Sequence, residues 1–256
     1  DYHVTIKLPA NYVVAATGKL VNEIIDPVIN NKTIITPPAD KKIKDSTPSS
    51  LNFKTLSFQQ NNIHDFAWFA DKNFEMMHDT LQLPGKIIDV YAYYNKENKK
   101  YWTNSIRYIK ASILSKSKWL GEYPYPVITV VEKAGPADGG GMEYPSITLI
   151  SKTTDERILD YLINHEVGHN WFYSILASNE RANPWMDEGM NTHYDNRYAL
   201  QQYGNTNLEI IQTNSAFINK RLPDDLQHVL LQTVIGVKKD QPIETSSEKF
   251  SAFNYN

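Results

Sequence analysis

The sequence predicts an α+β fold, on three observations. Alternating apolar and polar residues mark short strands near the start, as in Tyr2, Val4, Ile6 and Leu8 against His3, Thr5 and Lys7. A proline-free stretch from 146 to 183 carries apolar residues at helical spacing. The strand patterns come first and a pair of helices follows, the order of a sheet with helices packed beside it.

Composition sets the outer limits. A chain of 256 residues can bury a full core and holds one large or two small domains. Hydrophobic residues at 41% and charged residues at 21% are those of a folded protein, not of a disordered one. A formal net charge of -3, with basic residues mixed among acids as in Lys96-Glu97-Asn98-Lys99-Lys100, argues against nucleic acid as a partner. There are no cysteines, so disulfides and thiolate metal sites are excluded. No apolar run reaches the roughly 18 residues of a membrane span, so no transmembrane segment is expected in this chain. The chain opens at Asp1 inside a strand pattern and stops at Asn256 without a closing element, and is read as a piece of a longer protein.

Residues 1–60 are expected to be the C-terminal part of an N-terminal β domain, with strands at the start, at Tyr12–Gly18 and at Leu51–Phe58. The Lys-, Asp-, Pro- and Thr-rich stretch from Asn30 to Ser50 reads as an exposed hairpin or loop. A second unit, 61–256, begins with the dense aromatic run Phe66, Trp68, Phe69. There Asp71–Thr80 reads as a weak helix or turn, and Ile87–Tyr94 as a buried strand. Ile106, Ile109, Ile113 and Leu114 give a helix from Tyr101 to Leu120 that Gly121 stops. Val127–Val131 and Tyr144–Ile150 read as strands. After Gly189, helices are expected to Gln202, over Leu208–Lys220 and over Asp224–Val234 with a turn at Gly236.

The functional residues gather at His165-Glu166-Val167-Gly168-His169. Two histidines four apart on a helix share one face, as a metal requires of a rigid element. The flanks supply the helix: Ile158, Leu159, Leu162, Ile163 and Val167 recur at its period, and Thr153 or Thr154 caps it, with Glu156 closing a capping box on Thr153. Glu166, turned roughly 100° from His165, can act on water activated by the metal. Zinc takes four ligands, and two histidines plus water leave one protein ligand to find. Glu188, in Trp185-Met186-Asp187-Glu188-Gly189, is the candidate, because a helical hairpin turning near Asn183-Pro184 returns it to the histidines. Asp187 and Asn191, its neighbours, are each placed either to bond a histidine ring or to serve the helix surface.

Together these motifs resemble the gluzincin aminopeptidases of the aminopeptidase N family. His165, His169 and Glu188 match the family's zinc ligands, and Glu166 its general base. Gly140-Gly141-Met142-Glu143-Tyr144 matches the glycine-x-Met-Glu-Asn box upstream of the zinc helix, with Tyr144 in place of asparagine and Gly141 where alanine is common. The resemblance implies a thermolysin-like catalytic domain of mixed sheet and helices, preceded by the end of a saddle-like all-β domain. It implies one Zn2+ per chain and peptide substrates cut at the N-terminal bond. Glu143 would hold the free α-amine, while Gly140, Gly141, Met142 and Tyr144 would line the substrate. The family's catalytic tyrosine falls either at Tyr255 or beyond Asn256. An exported bacterial location is expected, with the cytoplasm open. The alternatives are a same-fold hydrolase of other specificity and an inactive peptide-binding relative. The preferred first residue, the oligomeric state and the activity of this piece alone are not legible in the chain.

Overall fold

A computed structural model describes residues 1–26, 48–135, 140–204 and 232–251. Strands β1 (Tyr2–Pro9), β3 (Lys19–Asp26) and β4 (Phe53–Gln60) form an antiparallel sheet in the order β1-β4-β3. Its inner face and β2 (Val13–Ala16) bury Ile6, Leu8, Val14, Leu56 and Phe58 in a small core of their own. β2 pairs with β5 (Trp68–Asp71), so a two-stranded ribbon ties residues before 60 to residues after it.

The larger sheet has five strands in the order β6-β7-β8-β10-β9: β6 (Phe74–Gln82), β7 (Ile87–Asn95), β8 (Val127–Glu132), β9 (Gly141–Tyr144) and β10 (Ile147–Ile150). β7, β8 and β10 run parallel, and the two outer strands are antiparallel to their neighbours. Helices α1 (Lys99–Trp102) and α2 (Ser105–Leu120) connect β7 to β8, and α3 (Glu156–His169) follows β10. Ile88, Val90, Ala92, Ile128 and Val130 of the sheet pack with Ile109 and Ile113 of α2 and with Leu159, Ile163 and Val167 of α3. Each such side chain stabilises by about 1.5–3 kcal/mol when fully buried, so this seam, more than intrinsic propensity, fixes α3 in place. A wide π-type turn continues α3 over Asn170–Ile175, and another over Trp185–Gly189 leads into α4 (Met190–Tyr203). No helix among the described residues is long and apolar enough to cross a membrane.

Three expectations are corrected. Residues 74–82 form a strand, not a helix or turn, because β6 pairs with β7 along its whole length. Tyr144–Ile150 is not one strand: Pro145 and Ser146, the latter at φ 61°, turn the chain into the β9–β10 hairpin. Asp155, not Thr153 or Thr154, caps α3, its Oδ1 accepting from the amides of Arg157 at 2.8 Å and Ile158 at 3.2 Å. Glu156 points instead to Asn104 and the Tyr108 hydroxyl. The expected helices over 208–220 and most of 224–234, the loop 30–47 and Tyr255 lie outside the described residues.

Candidate active site

α3 ends at the bottom of a cavity of about 450 Å³, with β9 on one side and the turn Trp185–Gly189 on the other. His165 and His169 project from successive turns of α3, their Nε2 atoms 3.2 Å apart. Glu188 comes back across the hairpin, its Oε2 lying 3.2 Å from Nε2 of His165 and 3.8 Å from Nε2 of His169. A tetrahedral zinc with ligands at about 2.0–2.2 Å has ligand–ligand edges of roughly 3.3–3.6 Å, which these three separations bracket. The donor set, two imidazoles and a carboxylate, is also that of catalytic zinc. Those three residues therefore fit a zinc ion.

Both rings are held from behind. Nδ1 of His169 lies 2.5 Å from Asp187 Oδ1, and Nδ1 of His165 lies 2.7 Å from Asp195 Oδ2. Carboxylates on the outer nitrogens turn both Nε2 atoms inward and raise ring basicity. Of the two neighbours of Glu188 singled out in the sequence, Asp187 bonds the His169 ring, and Asn191 brings its Nδ2 to 3.4 Å from Nδ1 of His165. Asn191 donates to the His165 carbonyl at 2.8 Å. Asp195 was not anticipated, yet helical spacing signals it: from Glu188, positions 191 and 195 continue one face.

Burial alone would lower the His169 pKa, but the Asp187 hydrogen bond and the charges of Glu143 and Asp187 raise it to about 9 without an ion. Burial opposes, and Asp195 and Glu188 outweigh it, in raising His165 well above its ordinary value. These carboxylates favour the protonated rings, and zinc has to displace whatever proton Nε2 holds. Zinc affinity is expected to rise as pH climbs through neutrality toward about 9, with proton release measurable by calorimetry in buffers of different ionisation enthalpy. Affinity that is flat with pH would contradict this electrostatic picture.

Glu166 is almost wholly buried, one turn-step from His165, with Oε2 at 3.5 Å from Thr148 Oγ1. Burial pushes its carboxyl up; the two histidines pull it down and Glu188 and Asp195 push it up again, leaving it at about 7. Its carboxylate rests on Gly141: a Cβ there would stand 2.1 Å from Glu166 Oε1 and 2.6 Å from the Leu149 carbonyl. Glu143, buried in β9, is raised to about 8, first by burial, against the His169 charge and with the help of Glu166 and Asp187. Its carboxylate gathers with His169 and Asp187 beside the metal triad. So many acids in one cleft favour cations there.

Gly140, Gly141, Met142 and Glu143 line the cavity with His165, Glu166 and Glu188. Tyr144 does not; its ring packs against Phe69, 6.1 Å between centroids. β9 bonds to β10 on one edge, and among the described residues no strand pairs with its other edge. Asn170 fixes this hairpin to the zinc helix, its Oδ1 accepting from Ser146 N at 2.9 Å and the Tyr123 hydroxyl at 3.3 Å. Trp171 and Phe172 pack in the core, and His193 is exposed on α4, outside the metal triad.

No protein-family model matches the chain. A stretch of 110 residues is 26% identical to aminopeptidase Q of Acinonyx jubatus and of Felis catus, covering 41% of this chain and 11% of each relative. Human aminopeptidase Q is 27% identical over 107 residues, 40% of this chain and 10% of its own. An M1 zinc metallopeptidase from Deinococcus radiodurans superposes with a TM-score of 0.61 at 18% identity, over 99% of this chain and 49% of that one. A mutant of it bound to a Tyr-Ser-Ala substrate gives 0.60 at 16% identity, with the same coverage. The chain thus spans about half the length of these structures, and its matched stretch about a tenth of aminopeptidase Q. A β-rich unit followed by a mixed sheet and a zinc-type helical hairpin gives this chain the fold of an M1 zinc metallopeptidase.

Proposed function

We propose that the chain carries the catalytic centre of a zinc aminopeptidase, which removes residues one at a time from the free N-terminus of peptides. The observation that carries this reading is one cavity lined by His165, Glu188 and two further carboxylates, Glu166 and Glu143, with His169 buried beside it to complete the triad. The fold shared with the Deinococcus metallopeptidase, seen with a tripeptide, and the sequence likeness to aminopeptidase Q support peptides as the substrate class.

His165, His169 and Glu188 would hold the ion. Bound zinc supplies a Lewis acid that lowers the pKa of water and polarises the scissile carbonyl. Glu166 takes a proton from the attacking water and passes it to the nitrogen of the leaving amine, completing both proton transfers with one carboxylate. Its half-way pKa of about 7 in the ion-free site suits a group that accepts and then gives. Glu143 accepts from the substrate's α-ammonium, which is charged near neutral pH. That contact sets the cleaved bond one residue from the end. The open edge of β9, with Gly140 and Gly141 letting a backbone approach, receives the peptide as an added strand.

The test is a panel of peptides with free and with blocked N-termini, given to the full-length protein and to its Glu143→Gln variant. Free peptides are expected to be preferred. Glu143→Gln is expected to lower their kcat/KM by roughly 10- to 100-fold, the loss of a charge-assisted hydrogen bond of about 1.5–3 kcal/mol. Preference for the blocked peptides would overturn aminopeptidase action in favour of a different specificity on the same fold.

A further inference from the structure

Helix α2 presents a charge where its packing face calls for core. Ser105, Ile109, Ser112, Ile113 and Lys116 are its buried stripe, and this helix packs on α3. Lys116 and Asp195 both have side chains with 0% exposure. The ammonium meets three acceptors: the Asn164 carbonyl at 2.7 Å, Asn164 Oδ1 at 2.7 Å and Asp195 Oδ1 at 3.3 Å. An ammonium has three donors, so its capacity is filled. Asp195 Oδ1 also accepts from Asn164 Nδ2 at 2.7 Å, which leaves Oδ2 for the His165 ring. Asn164 immediately precedes His165 in the chain. The lysine therefore grips both the carboxylate behind the ring and the backbone that carries it.

The stem of the lysine is built into the zinc motif as well. A Cβ on Gly168, between the two histidines, would stand 2.5 Å from Lys116 Cε and 2.0 Å from Asn191 Oδ1. Glycine in that position of the motif makes room for the lysine stem. A buried ion pair is weak evidence of stability, since apolar side chains fill such a place as well or better. Its consequence is to be sought in the group it holds.

We propose that Lys116 is a positioning residue for the metal site: a buried cation that fixes the orientation of Asp195 and Asn164, and through them the ring of His165. The inference rests on the zinc reading above. Its test compares the wild-type protein with Lys116→Met, measuring zinc affinity by chelator competition on folded protein and the ring 15N resonances of both histidines without metal. Wild-type protein is expected to bind zinc, and folded Lys116→Met to bind it roughly 10-fold more weakly, the lower end of the loss when a group bonded directly to a ligand is removed, because Lys116 acts through Asp195. The His165 resonances are expected to move and broaden. Those of His169, whose Nδ1 is held by Asp187 and which meets His165 only through Nε2, are expected to move less.

Wild-type zinc affinity and an unmoved His165 ring in folded Lys116→Met would overturn the inference and leave the zinc site standing. No zinc binding by wild-type protein would overturn both. Should Lys116→Met not fold, Lys116→Gln is read in the same way. The wild-type Lys116 ζ-15N resonance then gives a check free of any variant: it is expected to shift when zinc is added, and a resonance blind to zinc would refute the coupling.

Discussion

Glu166→Gln is expected to lose roughly 100- to 10,000-fold in kcat while still binding one zinc ion, because it removes the only proton carrier placed one step from His165 on α3. Gln fills the same space against Gly141 and Thr148, so the geometry of the triad is kept. Stability is not expected to fall. A carboxyl raised from 4.5 to about 7 by folding binds protons more tightly folded than unfolded, so its contribution to stability declines as pH rises between those values. At neutral pH without metal the charged carboxylate opposes folding, and the neutral amide relieves that. Steady-state kinetics, zinc content and melting temperature of one preparation check all three statements. Turnover near the wild-type rate would remove Glu166 from the chemistry.

Glu188→Ala is expected to weaken zinc binding by roughly 100-fold or more, and to lower activity with it. Structural four-ligand zinc sites bind with about 10–16 kcal/mol, and on that scale one ligand accounts for about 3 kcal/mol, or roughly a 100-fold loss of affinity. The side chain is about one-fifth exposed at the cavity wall, so its truncation leaves no hole in the core. Folding is therefore expected to survive while zinc binding weakens. Competition with a chelator, alongside circular dichroism, separates the two. A variant that keeps zinc at the wild-type affinity would show that the third ligand is another residue.

The zinc helix was legible because its signal is local: the histidine spacing and the apolar period of α3 lie within 14 residues. Glu188 was legible from the breaks between α3 and the following turn, which require a hairpin. Asp155 as the cap was within reach, since an acid at the first non-helical position competes well with threonine. β6 was not. Phe74–Gln82 alternates poorly and is half-exposed, and its strand state comes from pairing with β7, a contact no local pattern carries. The β9–β10 turn has a local mark, Pro145, at the point where the strand pattern reads as continuous by hydropathy alone. Asp195 and Lys116 are the instructive pair. Each lies on a helical stripe with residues already recognised, one with Glu188 and one with Ile109 and Ile113, but the charge on each disguised it as surface. Only the packing of α2, α3 and α4 shows that both are buried and joined.

One zinc ion is expected where α3 and the turn before α4 meet. Anomalous diffraction at the zinc edge, on crystals of the zinc-loaded protein, tests it directly. The expected result is a single strong peak at about 2.0–2.2 Å from Nε2 of His165, Nε2 of His169 and a carboxylate oxygen of Glu188. A map with no peak there, or one in which Glu188 turns away from both imidazoles, would contradict it.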